Sequence, residues 1–336
     1  MFDDPFEYLT FGGTFRRSFG LLFERFDLYM GISFCVLIPF AVLYMATVFA
    51  MLSVVVGDTE NYSSDFAFEH VPLLLFLFAV QAILYDVASV IGQAAISHAV
   101  SLTYIGQRPG WFQCLKKAWS IKWSLLGASF LVYGGLFLAF VPAWVVISLS
   151  VFDPSILKTL LLFVVGIPSL GVCAYAYTGT LLASPAIIVE GIQSPLQGIK
   201  RSWELSIGSR CYLVCTMFCL WSLNQMLSSF LHNLFLRGDV MDAFFSVGGI
   251  VVTAILPVVF YFPIHAIIET VLYLNLRIGR ESMNHQVLSG EVMSDTPPSS
   301  RFRNDDPAAS YDETFADYRH VPLMDGGGDD DDDQNK

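Results

Sequence analysis

Four polar side chains mark one face of an otherwise apolar run: Asp86, Ser89, Gln93 and Ser97 stand at i, i+3, i+7 and i+11, with His98 beside them. In a later run Tyr261, His265, Glu269 and Tyr273 are spaced by four, which puts them on one side of a helix. A looser set, Asn224, Gln225, Ser228 and His232, lies in the run before it. Carboxylate and imidazole one helical turn apart suit a proton relay or half of a metal site. Asp86, Gln93, His265 and Glu269 are therefore the candidates for a polar site that lines a path for a solute or for protons. The same residue types also serve as hydrogen-bond glue between membrane helices, where His265 and Glu269 can satisfy each other. That plainer reading is preferred on the sequence alone. No HExxH, GxSxG, P-loop or paired-carboxylate signature is placed where it could act. No catalytic residue, metal ligand or cofactor is expected, and the chain is read as a non-enzyme.

The elements that must hold these residues follow from composition. The chain has 336 residues, 54% hydrophobic and 14% charged, with a mean hydropathy of +0.58. A soluble domain carries about a quarter charged residues to cover its surface. Uncharged runs near 28–54, 71–101, 123–150, 156–186, 211–235 and 243–275 exceed the roughly 20 residues that cross a bilayer as helix. Helices are the default because backbone facing lipid must satisfy its own hydrogen bonds. The expected fold is an all-α, multi-pass membrane bundle of six spans. Residues 1–27 read as an amphipathic cytoplasmic segment, 28–283 as the membrane domain and 284–336 as a disordered acidic tail. The N-terminus, "MFDDPFEYL", has no basic stretch of the kind that opens a signal peptide.

Orientation comes from counting basic residues. Twelve Lys and Arg lie on one side of the six spans, against Lys158 and Arg237 on the other. That bias predicts cytoplasmic N- and C-termini. Asn61-Tyr62-Ser63 is a glycosylation sequon on the opposite, non-cytoplasmic side. The net charge of −12 belongs largely to the tail, and it argues against nucleic-acid binding. The tail's Ser, Thr and Tyr sites could engage a cytoplasmic adaptor, or it could remain a solvated segment without a partner. Cys211, Cys215 and Cys219 share a helix face. They read either as small apolar residues or, for Cys211, as a palmitoylation site.

Three segments repeat a pattern: "TFRRSFGLLFERF", "CLKKAWSIKW" and "GIKRSWELSIG". Each has an apolar residue, a basic pair, a small residue and an aromatic, namely Phe19, Trp119 and Trp203, ahead of a span. The expectation is three tandem units, each a basic interfacial helix followed by two crossings. Arg16, Arg17, Lys116, Lys117, Lys200, Arg201 and Trp203 are the candidate contacts to lipid headgroups, anionic ones in particular.

"SPAIIVEGIQSPLQGIKRSWELSIGS" resembles the signature of the membrane domain associated with glycerophosphoryl diester phosphodiesterases. The matching residues are Pro185, Ala186, Ile187, Glu190, Gly191, Arg201, Ser202, Trp203, Glu204, Leu205 and Gly208. "ETVLYLNLRIGRES" is similar to that family's closing motif, with Asn275 where the family usually has Asp, and "GQRPGWFQCLKKAW" to its earlier turn. The resemblance covers about residues 90 to 290 and implies fold and topology. The family's phosphodiesterase chemistry resides in a separate barrel domain, so the resemblance carries over no catalytic residue. The expected function is a non-enzymatic membrane protein that organises lipid or scaffolds partners. The alternative is a transporter or channel with a polar intramembrane path.

Overall fold

Run length and local capping decide the elements. The computed structural model of the chain describes residues 6–57, 64–152, 162–236 and 244–293. Every regular element among them is helical: α1 (Phe11–Glu24), α2 (Phe26–Gly57), α3 (Ser64–Tyr104), α4 (Trp111–Ser120), α5 (Lys122–Phe152), a π-helical turn (Leu162–Gly166), α6 (Ile167–Thr180), α7 (Ala183–Glu190), α8 (Pro195–Ser206), α9 (Arg210–Leu236), α10 (Phe244–Glu281) and α11 (His285–Met293). Six segments are long and apolar enough to cross a membrane, as the runs predict. The sequon at Asn61, the loop residues Lys158 and Arg237, and the tail from 294 lie outside the described residues.

Two corrections to the sequence reading concern continuity. The fourth span is broken rather than continuous: α6 ends at Thr180 and α7 begins at Ala183. Pro185 lacks an amide hydrogen, and Ser202 of α8 fills the gap, accepting from Leu182 N (3.0 Å) and donating to Gly179 O (2.8 Å). The second correction is α11, which is ordered inside the stretch read as a disordered tail. Its Leu288 and Val292 are buried, one turn apart on a single face, and that face supplies the contact that composition alone hid.

The ends of α3 and α7 close the same way. Gly106 (φ 76°) and Gly191 (φ 68°) adopt the left-handed conformation that glycine takes without steric cost. Gln107 N then reaches Leu102 O, and Ile192 N reaches Ile187 O, satisfying last-turn carbonyls. Each turn sends the chain back into a short helix, α4 or α8.

Packing runs in a closed order. The paired spans are α2 with α3, α5 with α6, and α9 with α10; α4 rests on α3, α8 on α7, and α1 on α10. The first span of each pair also touches the second span of the pair before it: α5 on α3, α9 on α6, and α2 on α10. The second spans meet in the middle, and within the apolar window 78% of the α10 residues are buried against 17% for α5 and for α9. The segment before α1 is tied to α10 by Asn275, whose Oδ1 accepts from Leu9 N (2.7 Å) and whose Nδ2 donates to Leu9 O (3.0 Å). A carboxylate could not make the second bond, so Asn suits this position where the resembling motif has Asp.

Candidate functional site

The two polar stripes face each other. Gln93 Nε2 of α3 donates to Glu269 Oε2 of α10, and His265 Nδ1 lies 3.5 Å from Glu269 Oε1. All three line one cavity of about 370 Å³, together with Tyr85, Ser89, Ser129, Tyr133, Tyr177, Thr180, Ser184, Asn224 and Tyr261. Asp86 stands just behind the wall, accepting from Ser129 Oγ with both carboxylate oxygens at 3.1 Å. The break between α6 and α7 lies in the wall, through Thr180, Leu181, Ala183 and Ser184.

The cavity has a floor and a rim. From Tyr261 to Glu269, and from Tyr85 to Gln93, is about 12 Å along each helix. At the end nearer the short helices the wall is shut, with Ile187 at 0%, Leu125 at 1% and Glu269 at 2% exposure, whereas Tyr133 at the far end is 54% exposed. The cavity is thus closed at the end nearer the basic short helices.

Below the floor is a charge cluster that the sequence reading did not assemble. Glu190, at the end of α7, accepts from Arg201 Nε (2.8 Å) and from Tyr273 Oη (2.5 Å), with Arg277 Nε at 3.6 Å. Arg201 Nη2 also meets Glu281 (2.5 Å). Arg277 Nε donates to Glu281 (2.8 Å), and its two terminal nitrogens hold Glu291 of α11 at 2.6 and 3.1 Å. Three carboxylates and two guanidiniums thus join α7, α8, α10 and α11. Burial alone would lower the affinity of Arg201 for its proton, but Glu190 and then Glu281 outweigh burial and raise it. On α10 the i, i+4 series does not stop at Tyr273: Arg277 and Glu281 continue the face that carries Tyr261, His265 and Glu269. That continuation was the readable signal. Reading basic residues as topology markers concealed it.

The structure separates the remaining candidates. Ser97 bonds Thr270 Oγ1 (2.8 Å), an interhelical tie of the plain kind. His98 is buried but does not line the cavity. Of its set Asn224 is on the wall and Gln225 and Ser228 are not, while the His232 side chain lies outside the described residues. On the short helices Arg16, Lys116 and Lys200 are exposed, while Arg17, Lys117 and Arg201 are half-buried. Arg17 lies over the Tyr104 ring at 5.2 Å, and Lys200 reaches Glu204 at 3.8 Å. Arg201, expected at the headgroups, is instead held in the charge cluster. Trp203 packs edge-on to Tyr175, with the Arg210 guanidinium 4.2 Å from its ring centre, so it is an internal brace. Burial pushes the Cys114 thiol up to about 12, against a smaller opposing backbone bond, while Cys211, Cys215 and Cys219 are exposed. Comparison of the chain with family models, with curated proteins and with solved structures finds no match.

Proposed function

We propose that this multi-pass membrane protein binds a small polar solute in its intramembrane cavity and passes it across the membrane, with no catalytic step. One observation carries the reading: polar side chains from α3, α5, α6, α7, α9 and α10 converge on a single space of about 370 Å³. Intramembrane polar groups are costly, and a bundle that needed only hydrogen-bond glue would pack them pairwise, as Ser97 and Thr270 do. The broken fourth span adds support, since discontinuous helices form the solute sites of many transporters. With the basic end cytoplasmic, the cavity opens to the outside or lumen, and the Glu190–Arg201–Arg277–Glu281–Glu291 cluster seals the inner side.

Three tandem units are part of the same reading. Their support is the matching burial of the short helices, where Thr14 and Ser18, Cys114 and Ala118, and Gly198 and Ser202 all face inward while Arg16, Lys116 and Lys200 face out. Those outward charges, with the exposed Trp111 and Trp119, seat the bundle at anionic headgroups. Kinship with the phosphodiesterase-associated membrane domain draws support from the meeting of its motif residues Glu190, Arg201 and Arg277 in one cluster.

Thermal unfolding of the purified protein against a panel of amines, amino acids, sugars and polyols tests the cavity. At least one solute is expected to stabilise the wild type saturably, by about 2.7 kcal/mol at a hundredfold excess over Kd. Glu269→Gln, unfolding as cooperatively, should lose that response. An equal response from the variant contradicts the reading.

A further inference from the structure

We infer that the solute is a cation, an ammonium group received by the Glu269 carboxylate at the floor of the cavity. This rests on the solute-cavity reading and narrows its ligand class. Among the described residues lining the cavity none is Lys or Arg, and Glu269 is the one carboxylic acid. A phosphate, sulfate or carboxylate ligand would thus meet no fixed positive partner, and anions bury poorly without one. Asp86, behind Ser129, adds a second negative charge near the wall. The guanidiniums below the floor do not reverse this field. Arg201 and Arg277 face Glu190, Glu281 and Glu291, so the cluster below the floor holds more carboxylates than guanidiniums.

The remaining polar groups match the same ligand. Gln93 occupies Oε2 of Glu269, while Oε1 has only His265 Nδ1 at 3.5 Å, beyond good hydrogen-bond range, so Oε1 is the oxygen able to take a charged donor. Tyr85, Tyr133, Tyr177 and Tyr261 come from α3, α5, α6 and α10. Their phenol oxygens line the way from the rim to Glu269 and can accept from an N–H along it. A neutral polyol would use the hydroxyls but give Glu269 no ionic partner.

The test is a charge series of nearly constant shape, titrated into the full-length protein in lipid nanodiscs and read by intrinsic fluorescence: tert-butylammonium, tert-butanol and trimethylacetate. The wild type should bind tert-butylammonium with a Kd at least about tenfold below that for tert-butanol, as a charge-assisted bond to Glu269 predicts, and show no saturable binding of trimethylacetate. Glu269→Gln should bring the first two within about twofold. Equal or tighter binding of tert-butanol by the wild type overturns the cation assignment. So does saturable binding of trimethylacetate, or of none of the three. If a neutral solute from the wider panel still stabilises the wild type and not Glu269→Gln, the cavity reading stands and the cation class alone has failed.

Discussion

Arg277→Ala is expected to lower stability by about 3–5 kcal/mol, the cost of breaking a buried ion pair by removing one partner. The side chain is 5% exposed and holds Glu281, Glu291 and, through Tyr273 Oη at 3.3 Å, the surroundings of Glu190. Its loss leaves Glu190 and Glu281 facing Arg201 and removes the two-pronged contact with Glu291, and like charges in a partly buried site repel strongly. Arg277→Lys restores one charge but cannot reproduce the two-pronged contact with Glu291, so it should fall between wild type and Ala. Adding Glu190→Gln to Arg277→Ala should recover part of the loss, because the second change removes a charge that the first stranded. The coupling expected for residues in one network is about 0.5–3 kcal/mol. Unfolding in mixed micelles measures these four proteins and the Glu190→Gln single variant, which the coupling requires. A loss below about 1 kcal/mol for Arg277→Ala would mean that water screens the cluster and that it does not hold the inner end shut.

Gly179→Ala is the second large effect, at about 1–3 kcal/mol. A Cβ at Gly179 would overlap the Trp203 ring. The ring is not free to retreat, because Tyr175 meets it edge-on at 5.6 Å and Arg210 lies over it. The added methyl must therefore push α8 away from α6. Ser202 is one residue from Trp203, and its bonds bridge the break at Gly179 and Leu182, so the displacement reaches the cavity wall at Thr180 and Ser184. Gly179→Ala is expected to weaken solute binding as well as stability, and Trp203→Leu in the same chain should restore part of both by vacating the overlap. A variant as stable as the wild type would show that α8 does not clamp the broken span.

Much of this was readable from spacing. Run lengths locate the six spans because the bilayer sets a minimum helix length, and the series Tyr261, His265, Glu269, Tyr273 names its helix face without a structure. The facing of that series to Gln93 was not readable, since i, i+4 periodicity says which residues share a face but not which helix that face meets. Arg201 shows another limit. A basic pair before a span predicts topology equally well whether its members point to lipid or inward, and here Lys200 points out while Arg201 meets Glu190 and Glu281. The break at Thr180–Ala183 was hidden because the apolar run continues across it. The bonds that stabilise the break come from Ser202, twenty residues away. α11 was missed because polar composition outweighed two buried aliphatic residues one turn apart.

In the proposed function the polar cavity opens away from the basic short helices, on the non-cytoplasmic side. Thiol accessibility tests it most directly, in a chain whose exposed Cys35, Cys211, Cys215 and Cys219 and half-buried Cys173 are replaced by Ala, leaving the buried Cys114. Ser89→Cys or Ser184→Cys then places a new thiol on the cavity wall, in sealed vesicles of known orientation. The account predicts that a charged, membrane-impermeant thiol reagent modifies either position when added on the non-cytoplasmic side and not when added on the cytoplasmic side. Modification by membrane-permeant reagents alone, or only from the cytoplasmic side, would contradict it.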